Sequence, residues 1–134
     1  MAESNAERMK KGLEGMEAEG WEAMLPLVAD DFEMTTPPGL AAEPDTYRGE
    51  EGIRRYWESF YEVMEEIHVE PAGEFEEIED WVLAPFTLRA TGRTTGIESG
   101  IEGVMAWRWR DGKAVRALLF ATLEEARAAI PPPD

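Results

Sequence analysis

Helices first and an antiparallel sheet afterwards, an α+β arrangement, is the fold class that this sequence predicts. Three observations lead to it. Apolar residues recur at three- and four-residue steps as far as Ile67, and beyond Ile67 their period falls to two. The chain has 134 residues, room for one core, so 1–134 is read as a single domain with 1–4 and 131–134 as flexible tails.

From Asn5 to Glu19, Met9, Leu13 and Met16 share one face of a helix that Gly20 ends. Trp21, Met24, Leu25 and Val28 mark a short second helix, shortened or bent by Pro26 and closed by Asp30 and Asp31. Phe32 to Thr36 alternates as a short strand, and Pro37-Pro38-Gly39 stops it. A long, proline-bearing loop then runs to Arg48. Gly49-Glu50-Glu51-Gly52 leads into a third helix with one broad apolar stripe, Ile53, Tyr56, Trp57, Phe60, Met64 and Ile67.

Strands follow over His68–Phe75, Trp81–Arg93, Ile97–Arg110 and Ala114–Thr122. Asp111-Gly112 makes a tight hairpin between the last two, and Gly92 to Gly96 reads as another turn. A short helix from Leu123 to Ile130 precedes Pro131-Pro132-Pro133, which cannot continue it. The strands are apolar on both faces, as in Trp81-Val82-Leu83-Ala84 and Ala117-Leu118-Leu119-Phe120, so both sides of the sheet must be covered. Helices cover one side. The other is expected to pack on a second subunit, giving a homodimer through the outer sheet face.

Composition narrows the function classes. A formal charge of -16, from 29 acidic and 13 basic residues, disfavours nucleic acid and anionic membrane surfaces as partners, since both require a basic patch. The absence of cysteine excludes disulfides, thiolate nucleophiles and cysteine-ligated zinc. Met1 to Asn5 lacks the basic start and apolar run of a signal peptide, and no stretch approaches a membrane span, so a cytoplasmic address is expected.

Leu27-Val28-Ala29-Asp30-Asp31-Phe32, Tyr47-Arg48-Gly49 entering the third helix, Trp107-Arg108-Trp109-Arg110-Asp111-Gly112-Lys113 and Glu124-Glu125-Ala126 punctuate nearly the whole chain. In order and spacing they resemble the SnoaL-like proteins, which share their fold with ketosteroid isomerases and nuclear transport factor 2. The resemblance implies a curved, mixed or antiparallel sheet wrapped by N-terminal helices into a cone with an internal small-molecule pocket, and often a dimer. It does not settle function, because this fold hosts isomerases, cyclases, hydrolases and binding modules.

The resemblance also locates what is missing. The carboxylate base of ketosteroid isomerases falls at Thr36 before Pro37, their tyrosine near Gly12 and their protonated aspartate at Met105. The histidine and aspartate of SnoaL-type cyclases fall near Met105 and Leu119. Thioether and alkyl groups move no protons, so neither chemistry carries over as it stands. Catalysis would need a rearranged pair, such as Tyr56 with Glu33 or Glu102.

By analogy with the family, Met34, Tyr56, Trp57, Phe60, Met105 and Trp107 are expected at the cavity, together with Phe86 and Leu119. Thr36, Tyr47, Tyr56 and Arg89 are the polar candidates for orienting a ligand. The expected ligand is a small hydrophobic molecule. No cofactor or metal is implied: His68 is the only histidine, and the acidic run Glu74, Glu76, Glu77, Glu79 and Asp80 lacks the pattern of a calcium loop and reads as a solvated turn. The remaining alternative is a structural or partner-binding domain whose cavity is filled by its own aromatic side chains.

Overall fold

A computed structural model of the chain describes residues 4–35 and 46–130. Helix α1 spans Asn5–Glu19. Its N-terminus is closed by Ser4, assigned to a tail from the sequence, whose Oγ accepts a hydrogen bond from the Glu7 amide at 3.1 Å. A 3-10 helix, Trp21–Leu27, contains Pro26. Strand β1 (Val28–Thr35) and the short β2 (Thr46–Arg48) precede helix α2 (Gly49–Val63). Strands β3 (Met64–Pro71), β4 (Glu76–Ile78), β5 (Trp81–Gly92), β6 (Glu98–Arg110) and β7 (Lys113–Phe120) follow, and helix α3 (Leu123–Ala129) ends the described chain. The tail expected at 131–134 and the tip of the loop after β1 lie outside the described residues.

The seven strands form one curved, unclosed sheet in the order β2-β1-β7-β6-β5-β3, with β4 pairing β5. It is mixed: β1 runs parallel to β7, and every other pair is antiparallel. Asp111 and Gly112 turn the β6–β7 hairpin with φ of 51° and 78°, positive at both positions as an Asp-Gly turn requires. The acidic run is not only a turn, since Glu76–Ile78 is a strand on β5.

One expectation fails at the end of α2. Met64 and Ile67 continue the apolar spacing of the helix, yet α2 stops at Val63 and both residues belong to β3. Pairing of Met64 with Gly92 and Glu65 with Thr91 outweighs the local preference. Both side chains still reach the same core, which is why helical spacing and strand pairing were indistinguishable over these residues.

Alternation along β5 and β6 divides the apolar residues between two cores. Val82, Ala84, Phe86, Leu88 and Ala90 join Met105, Trp107 and Trp109 on the inner face, against α1, the 3-10 helix and α2. Trp81, Leu83, Val104 and Ala106 point outward and pack with Ala126 and Ile130. The outer apolar patch that sequence reasoning assigned to a second subunit is thus covered in large part by α3 of the same chain. Arg127 on α3 donates from Nε to Glu76 Oε2 at 2.9 Å and from Nη2 to Oε1, tying the helix to β4.

Candidate functional site

The inner core is not completely filled. A cavity of about 50 Å³ lies between the sheet and the helices. Leu13 and Met16 of α1, Met24 of the 3-10 helix, and Ile53, Tyr56 and Trp57 of α2 line its helical side. Phe32 and Met34 of β1, Val69 of β3, Phe86 and Leu88 of β5, Met105 and Trp107 of β6, and Leu119 of β7 line its sheet side. Met16, Trp57 and Leu119 are partly exposed, whereas the other lining residues are buried. Among the described residues the walls are hydrocarbon and thioether apart from the Tyr56 hydroxyl and the indole nitrogens of Trp57 and Trp107.

Tyr56 is held by aromatic neighbours. Its ring meets Tyr47, Trp57 and Phe60 edge-on, each at a centroid distance of 5.2 Å. Behind it, the Arg55 guanidinium carbon lies 4.3 Å from the Tyr47 ring centroid. Gly52 lets α2 approach this closely: a Cβ there would stand 2.8 Å from the Tyr47 carbonyl carbon. Burial pushes the Tyr56 phenol above its ordinary pKa, and the neighbouring Tyr47 adds to the shift, so Tyr56 is neutral throughout the physiological range. A phenol hydroxyl at an apolar wall can donate to, or accept from, a ligand oxygen or nitrogen.

The structure brings most of the expected site residues together. Met34, Tyr56, Trp57, Phe86, Met105, Trp107 and Leu119 all line the cavity. Phe60 and Tyr47 are buried behind this wall as supports for Tyr56. Thr36 lies outside the described residues. Arg89 does not belong to the cavity: it alternates with the inward Leu88 and Ala90, is exposed, and pairs with Glu70 across β3 and β5.

Neither carboxylate considered as a proton-transfer partner for Tyr56 reaches it. Glu33 lies between the inward Phe32 and Met34, on the opposite face of β1, where its Oε1 accepts from Arg48 Nε at 2.9 Å. Glu102 is exposed on β6 in an outer cleft that also contains Arg127. Among the described residues the lining presents no carboxylate or imidazole to a bound molecule. His68 is exposed and places Nδ1 2.5 Å from Glu17 Oε1, while Glu17 Oε2 accepts from the Val69 amide at 3.2 Å, a clamp between α1 and β3.

Leu13, Met16, Met24, Phe32, Ile53, Val69 and Leu88 also line the cavity but had not been singled out as site residues. Period two from Met34 and Phe86 points to Phe32 and Leu88, and the first helical stripe contains Leu13 and Met16. Met24 reaches the site through a close approach. Its Sδ lies 2.7 Å from where a Cβ on Gly12 would stand, so the position that resembles the isomerase tyrosine here makes room for a thioether.

Solved structures share this architecture. A protein of unknown function with the nuclear transport factor 2-like fold from Burkholderia pseudomallei is 20% identical, with a TM-score of 0.78 over 97% of this chain and 99% of that one. TerC, crystallised with polyporic acid, is 24% identical, with a TM-score of 0.76 over 92% and 95%. A Mycobacterium tuberculosis protein solved with estradiol-17β-hemisuccinate is 19% identical, with a TM-score of 0.73 over 91% and 97%. No curated protein sequence matches the chain. Among the described residues no helix is long and apolar enough to cross a membrane. Residues 10–117 match the SnoaL-like domain model, and with the curved sheet, the helical cover and the enclosed cavity in place, the chain belongs to the SnoaL-like family.

Proposed function

We propose that this chain binds a small, uncharged, hydrophobic and ring-containing molecule in the inner cavity, within the cytoplasm. The observation that carries this reading is the cavity itself, whose described lining is apolar but for the Tyr56 hydroxyl and the indole nitrogens of Trp57 and Trp107. Apolar walls hold a ligand through burial and dispersion, and one polar group orients it. A charged ligand would lose its hydration without meeting an opposite charge. The small organic molecules found with TerC and with the Mycobacterium tuberculosis protein support the same use of the fold. Binding, rather than acid-base catalysis, is the activity this lining serves, because among the described residues it offers no carboxylate or imidazole to exchange a proton.

Native mass spectrometry on protein purified without added ligand tests the proposal, followed by titration with 2-naphthol read through tryptophan fluorescence. Wild-type protein is expected to carry or take up one molecule per chain, and Leu119→Trp, which fills the cavity, to lose it. Equal binding by the two proteins overturns the proposal. The same spectra test self-association through the outer face beside α3, where Leu118 and Phe120 are half-buried. A homodimer is expected, and a monomer mass at micromolar concentration rejects it.

A further inference from the structure

Four methionines from four separate elements converge on the cavity: Met16 of α1, Met24 of the 3-10 helix, Met34 of β1 and Met105 of β6. The cavity between them, about 50 Å³, is far smaller than a ring compound requires. An apolar cavity of about 150 Å³ is needed to take a single benzene. If a ring-containing molecule binds here, the walls must give way by roughly the difference. The backbones of the sheet resist such movement because they are locked by pairing on both sides in β1, β5 and β7. The aromatic lining side chains are also poor candidates, since Tyr56, Trp57 and Phe60 brace one another and Phe32 and Trp107 pack at 5.7 Å.

Methionine is the side chain that can yield. It is unbranched, has three rotatable side-chain bonds and loses little when it moves from one packed arrangement to another. Leucine has nearly the same volume but is branched and has fewer rotamers, so it fills the same space without the same compliance. Gly12 supports the assignment. By lacking a Cβ it leaves the space into which Met24 Sδ is drawn, a retracted position beside the wall of α1.

We infer that Met16, Met24, Met34 and Met105 determine the range of ligand sizes this protein accepts, by rearranging to enlarge the cavity around whatever enters. The inference rests on the binding proposed above. It makes the cavity a tolerant site for flat aromatic alcohols and ketones of different ring number, rather than a template for one molecule.

The test is a size ladder of phenol, 2-naphthol and 2-hydroxyanthracene, titrated by tryptophan fluorescence into wild-type protein, Met24→Leu/Met105→Leu and the fourfold methionine-to-leucine variant. The double variant guards against failure of the fourfold variant to fold. Wild-type protein is expected to bind all three probes. The leucine variants are expected to keep phenol affinity and to lose affinity for 2-hydroxyanthracene by about tenfold or more, the scale on which a rigid apolar pocket discriminates small size differences. Parallel ladders in wild-type and leucine proteins overturn the methionine inference and leave the cavity reading standing. Absence of binding by wild-type protein, or binding that survives Leu119→Trp, overturns both.

Discussion

Replacing Tyr56 with phenylalanine separates what the hydroxyl does for the fold from what it does for a ligand. The side chain is 6% exposed, and burial is the main reason its phenol pKa is raised. Burial gives the hydroxyl a desolvation cost in the empty protein, about 1 kcal/mol where no protein group offsets it. Its removal leaves the three edge-on ring contacts intact. Tyr56→Phe is accordingly expected to raise the unfolding free energy by about 1 kcal/mol, or Tm by about 3 °C for a chain of this size. In the proposed complex the same hydroxyl would pair with the ligand, so affinity for 2-naphthol should fall by about 1 kcal/mol, close to fivefold. Urea unfolding of the empty protein and fluorescence titration with the probe measure the two effects separately. A variant that is destabilised by 1 kcal/mol or more while its affinity is unchanged would refute the reasoning, because it would mean that the hydroxyl is satisfied within the protein and turned away from the cavity.

Other perturbations probe the frame of the site. Gly52→Ala places a Cβ 2.8 Å from the Tyr47 carbonyl carbon, where backbone must move, and should cost about 1–3 kcal/mol in urea unfolding and weaken probe binding through Tyr47 and Tyr56. Met9→Ala empties a fully buried position outside the cavity lining, so thermal unfolding should show a loss of about 2–5 kcal/mol while the number of probe sites stays at one per folded chain. The Glu76 carboxyl is held below its ordinary pKa, chiefly by the hydrogen bond from Arg127. That stabilisation is present above the unfolded carboxylate pKa and is lost as pH falls through the lowered folded value. Glu76→Gln should therefore flatten the acid limb of the stability profile slightly, an effect that high salt reduces in the wild type because the pair is at the surface. An unchanged limb would remove Glu76 from that role.

Much of the fold was legible because it is encoded locally. The limits of α1 follow from Met9, Leu13 and Met16 and from Gly20, and the Asp111-Gly112 hairpin follows from a dipeptide that accepts positive φ at both positions. The helix ending at Val63 was less legible, because Met64 and Ile67 satisfy the helical spacing and the inner core at once. The short strand Thr46–Arg48, read as loop, has little internal signal and depends on pairing with Glu33, Met34 and Thr35 of β1.

The candidate site divides along the same line. Sequence by itself determined the α+β class, the helical stripes, the alternation of the strands and an aromatic, methionine-containing group of side chains, all of which depend on neighbours within one or two turns of chain. It also carried the family resemblance. Only the tertiary structure decided which face of each strand points inward, since alternation is symmetric until a partner strand and a helix lie against it. That choice placed Arg89, Glu33 and Glu102 outside the cavity and Phe32 and Leu88 within it. Long-range packing alone also decided that β1 lies parallel to β7, that α3 covers the outer core, and that the space left beside Tyr56 is small, because these follow from how distant segments meet and not from any segment's own preference.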